Sequence, residues 1–232
     1  VQVSLAAPSP SEKERALKKL GKRFRDLSAE ERKRLDRAPD FGVMLLELSK
    51  DKTARQAIAE FIRSLKEEDG VVYRAYEYIC FVGQYDLSIP RTLFERLDDQ
   101  GCFFRLPERQ WAKGVVSYDE ARPDTLRGRH PTYDSIAFSC YGRDPLAVFR
   151  EIVVKVDRSN SEERRLIAHL CRAMLKRDPA ISPQELASSL PLLKECSDQA
   201  KGVGELVLWR KVYRALGQSS IAEACVLSLI HI

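Results

Sequence analysis

Long apolar runs are missing from this sequence. No window approaches the ~20 consecutive apolar residues that a membrane-spanning helix needs, because charge interrupts each apolar stretch within a few positions. No membrane span is expected. The opening residues Val1–Pro8 hold neither the basic start nor the apolar stretch of a secretory signal. Histidine is scarce, at three residues in 232, and the six cysteines stand 22 to 38 residues apart with no Cys-x-x-Cys. His-rich ligand sets, His-Glu-x-x-His and acidic calcium loops are equally lacking, so no metal is expected. Scattered thiols in a chain of this length point to a reducing, cytoplasmic setting and not to a disulfide framework. The sequence also lacks a Gly-rich phosphate loop ending in Lys-Ser or Lys-Thr, a Gly-x-Gly-x-x-Gly and a Gly-x-Ser-x-Gly elbow. The common nucleotide-binding and hydrolase signatures are thereby excluded, no cofactor is expected, and a non-enzyme is favoured.

What is present is an average globular composition, 44% hydrophobic and 31% charged, with a net charge of +5 and a pI near 8.9. That balance supports a packed core and leans towards anionic partners. Periodicity divides the chain into a flexible leader over residues 1–10, a helical region over 11–70, a mixed region over 71–158 and a second helical region over 159–232. All four can belong to one domain, since no low-complexity linker separates them. The expected fold class is α+β, predominantly helical, with helical N- and C-terminal regions flanking a small antiparallel sheet.

Within the first region, Leu17, Leu20, Phe24 and Leu27 recur at helical spacing. Ser28 and Glu31 form a capping-box pattern for a second helix that ends near Ala38-Pro39. Asp40 and Asp51 are the expected caps of two more helices, and Asp69-Gly70 the stop. Residues Val71–Val82 fit a helix better than a strand, and Pro90 opens a short helix over Thr92–Leu97. Cys102–Leu106, Gly114–Tyr118 and Ser135–Tyr141, rich in aromatic and β-branched residues, read as strands. The span Asp119–Asp134, with its prolines, reads as a long irregular loop and a place to look for a binding surface. Ile152-Val153-Val154 reads as a returning strand. Ser159–Ser161 caps a helix running to Lys176, and Ser182-Pro183-Gln184-Glu185 opens another. Further helices are expected through Leu190, over Ser197–Lys201 and over Leu206–Leu216, with Gly217 as the final cap.

Charge supplies the main functional signal. Between Lys13 and Arg37 eleven basic residues face five acidic ones. On a helical hairpin, Lys18, Lys19, Lys22, Arg23 and Arg25 would form a stripe that tracks a phosphate backbone, of DNA or of RNA. The competing account is a solvated helix exterior with Glu–Lys pairs one turn apart. Arg127 and Arg129, beside His130, make a second basic patch able to hold a phosphate group. Arg164 and His169, five residues apart on one predicted helix, resemble the Arg-x4-His motif of HEPN ribonucleases. That resemblance implies metal-independent RNA cleavage, with Arg164 stabilising phosphate charge and His169 in acid–base chemistry; Arg165 stands where that family commonly has a polar residue. Three readings follow. The first is a non-catalytic nucleic-acid-binding or accessory subunit of a nucleoprotein assembly. The alternative is a regulatory module that docks a larger protein partner, and the third is the HEPN-like ribonuclease.

Overall fold

The computed structural model describes residues 10–19, 24–37, 53–98, 101, 116–119, 122–128, 130–178 and 180–230. Helix α1 (Pro10–Lys19) buries Leu17, and α2 (Ala29–Arg37) buries Leu35. The Ser28–Glu31 capping box forms as expected, the Ser28 amide donating to Glu31 Oε2 at 2.7 Å and the Glu31 amide to Ser28 Oγ at 3.2 Å. The helix expected after Asp40 lies outside the described residues. Helix α3 (Ala54–Glu68) is capped by Thr53, while the expected cap Asp51 lies outside the described residues: Thr53 and Gln56 make a reciprocal box that satisfies two N-terminal amides. Its buried face, Ile58, Ile62 and Leu65, follows the helical period.

Asp69 serves two helices at once. Its amide closes α3 on the Leu65 carbonyl, and its carboxylate accepts the Val72 amide at 3.1 Å to open α4 (Gly70–Gly83). Helix α4 is apolar nearly all round because it runs through the centre, touching α3, the sheet, α6 and α7. Strand β1 (Ile89–Pro90) and α5 (Arg91–Leu97) follow.

The sheet is small and antiparallel, in the order β1-β3-β2. Strand β2 (Val116–Asp119) overlaps the strand expected at Gly114–Tyr118, whereas Cys102–Leu106 lies outside the described residues. The central strand β3 (Arg122–Gly128) occupies the span expected to be a loop. Its pairing survives Pro123 because the register shifts between Tyr118 and Asp119, placing the proline in a bulge. Ser135–Tyr141 belongs to helix α6 (Pro131–Tyr141) and not to a strand. His130 caps it through Nδ1, Pro131 sits in its first turn, and Asp134, Ala137, Phe138 and Tyr141 fall on one helical face.

Helix α7 (Pro145–Lys155) likewise continues through Ile152-Val153-Val154. Phe149, Ile152, Val153 and Val156 all bury at helical spacing, and that burial overrides the β-preference of the valines. Helices α8 (Ser161–Arg177), α9 (Pro183–Ala187), α10 (Leu190–Asp198), α11 (Val203–Ala215) and α12 (Ser219–Ile230) complete the chain. The Ser182–Glu185 box opens α9 as expected, while Ser197–Lys201 supplies only the end of α10. One contiguous core extends from Ile58 to Cys225, built on Tyr76, Phe81, Phe94, Phe149, Trp209 and Tyr213. No helix among the described residues is long and apolar enough to cross a membrane.

Candidate anion-binding cleft

Three segments enclose a cleft of about 490 Å³: the turn and strand after α4, the strand β3, and the first turns of α8. The turn is tight. Gln84, Tyr85 and Asp86 donate their amides back to Cys80, Val82 and Gly83, and Asp86 is left at φ +63°, in the left-handed region. A non-glycine residue there is costly, on the order of 1 kcal/mol or more, and such conformations concentrate where geometry serves binding. The chain then passes through Leu87 and Ser88 into β1, where Ile89 pairs with Leu126 and Pro90 with Thr125.

Alternation along β3 sends Leu126 into the core, while Thr125 and Arg127 line the cleft. Arg127 Nη2 donates to Asp86 Oδ1, so the strained turn aims the guanidinium. The opposite wall is a single face of α8, where Glu162, Arg165, Leu166 and His169 recur at steps of three and four. Arg165 and His169 are exposed, and Arg165 has no side-chain partner among the described residues.

The cleft face of α8 is fixed by what its neighbouring residues do. Asn160 Oδ1 accepts the amides of Glu162 and Glu163 and caps the helix. Glu163, fully buried, accepts from Thr92 Oγ1 at 2.6 Å, from the Asp157 amide at 2.8 Å and from Arg96. Arg164 points the other way, into a buried fork with Glu205 at 2.6 and 2.9 Å, and its third donor meets the Arg158 carbonyl at 2.6 Å. Arg164 is therefore a neutralised structural cation. The structure does not bring it together with His169 in this chain; Arg165, one turn before His169, takes the position beside it.

Asp134 lies behind β3, 1% exposed, and its Oδ1 has no hydrogen-bond partner among the described residues. A Cβ on Gly83 or Gly128 would sit 2.3 or 2.1 Å from its Oδ2, so both backbones need glycine to admit the carboxyl. Burial pushes this carboxyl up to about 8, against the opposing charge of Arg127 and a hydrogen bond from the His130 backbone. Its neutral form is thereby favoured.

Of the basic residues singled out in the sequence, Arg127 lines the cleft, and Lys18 on α1 and Arg25 in a short 3-10 turn (Phe24–Asp26) between α1 and α2 are exposed. The side chain of Lys19, and Lys22, Arg23 and Arg129 altogether, lie outside the described part. Lys13 pairs with Asp36 at 2.9 Å, and Arg25 stands 3.8 Å from Asp26, so this stripe is interleaved with acid. Sequence reasoning missed Asp86, Ser88, Thr125, Glu162 and Arg165. The α8 face was readable from helical spacing alone; the other members meet it only through tertiary packing.

Cys80, Cys140, Cys171, Cys196 and Cys225 are free, and burial pushes the Cys80 and Cys171 thiols up and that of Cys196 to about 11. No group of three or more metal-ligating side chains occurs among the described residues. Comparison with known proteins gives no relative: no family model, no curated protein and no solved structure matches the chain.

Proposed function

We propose that the chain is a non-catalytic nucleic-acid-binding or accessory subunit whose cleft between β3 and α8 seats a backbone phosphate. The observation that carries this reading is the convergence of Arg127, Arg165 and His169 on one polar cleft from two elements distant in sequence. Two guanidinium forks and an imidazole suit a phosphodiester, whose oxygens accept several charge-assisted hydrogen bonds at once. Lys18 and Arg25 supply exposed charge elsewhere on the chain. A protein-docking role has less support, since the large exposed hydrophobics among the described residues, Val154, Val203 and Leu227, lie on three different helices.

Fluorescence anisotropy with short RNA and DNA, single- and double-stranded, between about 50 and 200 mM salt tests the reading. Affinity is expected to fall steeply with salt. Arg165→Ala should weaken binding to all strands and reduce the slope of log K on log salt by about 1, as loss of one phosphate contact does. Absence of binding at the lower salt overturns the proposal, and an unchanged slope in Arg165→Ala removes the cleft from it. Labelled RNA incubated without divalent metal should stay intact; cleavage that vanishes in His169→Ala would restore the ribonuclease reading.

A further inference from the structure

A cleft built only to hold phosphate has no use for carboxylates, yet two line this one. Asp86 is accounted for, because it orients Arg127. Glu162 is not. It stands on the cleft face of α8, exposed, with no side-chain partner among the described residues, although Arg165 lies one turn further along the same face. An unpaired carboxylate beside a bound phosphate repels it, unless the ligand also carries a hydroxyl that the carboxylate can accept.

The sugar settles which ligand meets that condition. A carboxylate has only acceptors to offer, so it requires a donor on the ligand. In RNA the 2′-hydroxyl is such a donor, placed next to the 3′-phosphate, whereas DNA has none at that position. Carboxylates that accept from a ribose hydroxyl beside a held phosphate are a recurrent solution in nucleotide sites. The size is compatible: about 490 Å³ falls within the range of pockets that hold a small ligand, enough for one nucleotide unit.

We infer that the cleft selects single-stranded RNA over DNA, with Arg127 and Arg165 on the phosphate and Glu162 accepting the 2′-hydroxyl of the same nucleotide. This rests on the phosphate-binding reading above and adds the identity of the strand. The bland role for Glu162, favourable charge in the first turn of α8, makes a different prediction. If Glu162 serves only the helix, removing it relieves repulsion and strengthens binding of both strands alike. If it accepts the 2′-hydroxyl, RNA affinity falls while DNA affinity does not.

The test is fluorescence anisotropy of one short single-stranded sequence made as RNA, as DNA and as 2′-O-methyl RNA, against the wild-type chain, Glu162→Ala and Glu162→Gln. RNA is expected to bind about tenfold tighter than DNA, the ratio one hydrogen bond to a charged acceptor supplies. The 2′-O-methyl strand, which keeps the oxygen but loses the donor, should bind like DNA. Glu162→Ala should abolish the RNA preference, and Glu162→Gln, which keeps a neutral acceptor, should retain part of it. Equal binding of RNA and DNA, RNA-like binding of the methylated strand, or parallel gains for both strands in Glu162→Ala would overturn the inference while leaving phosphate binding intact. Failure of every strand to bind would instead remove the reading on which it rests.

Discussion

Arg164 and Arg165 adjoin in the chain, yet a step of about 100° around α8 sends one into the core and the other to the cleft. What each side chain meets, and not its chemical type, decides its role. Asp134 makes the same point for an acid. Ordinarily a carboxyl near 3.8, it is held at about 8 by burial, so the folded chain keeps a proton that the unfolded chain releases between those values. With more protons bound in the folded state, stability is greatest at the acid end of that window. It falls as pH rises towards about 8 and levels beyond it. The slope for one proton is about 1.4 kcal/mol per pH unit. Asp134→Asn, which cannot ionise, should therefore gain stability relative to the native chain as pH is raised from about 5 to about 8 in denaturant titrations. Parallel stability curves would mean that Asp134 is not a buried neutral acid.

Helix α8 is the element on which the cleft depends, and two ionic anchors hold it, one half-buried and one buried. Glu163 ties its start to α5 and to the chain before it, and the Arg164–Glu205 fork ties it to α11. Arg164→Ala should lower stability by about 3–5 kcal/mol, because Glu205 is left charged and buried, whereas replacing both partners with apolar residues of similar volume should cost far less. A loss under about 1 kcal/mol for Arg164→Ala, read from chemical denaturation, would show that the fork is not the anchor described. The elements themselves were partly legible. Capping residues announced α2 and α9, and the 3.6-residue period announced α4 and α8. Three local readings went the other way. Ser135–Tyr141 and Ile152–Val154 carry strand-preferring residues but lie in helices that bury Ala137, Phe138, Ile152 and Val153, and the prolines around β3 hid the central strand. Local preference lost in each case to packing that only the folded chain supplies.

At the scale of the molecule, charge alone drew attention to the N-terminal helices, where basic residues are densest. The structure interleaves that stripe with acid and places Arg127, Arg165 and His169 in a cleft far along the chain. Half of that cleft, the α8 face, was present in the sequence as spacing. The other half, the strained Asp86 turn and the β1–β3 pair that presents Thr125 and Arg127, needed long-range closure that no local pattern encodes. On the proposed reading, nucleic acid would lie between β3 and α8. Photo-cross-linking of bound single-stranded RNA, with the attached peptides mapped by mass spectrometry, addresses it directly. Cross-links are expected within Asp86–Pro90, Thr125–Arg127 and Glu162–His169. Cross-links confined to residues 10–37, with the cleft segments unlabelled, would put the nucleic acid on the N-terminal region and not in the cleft.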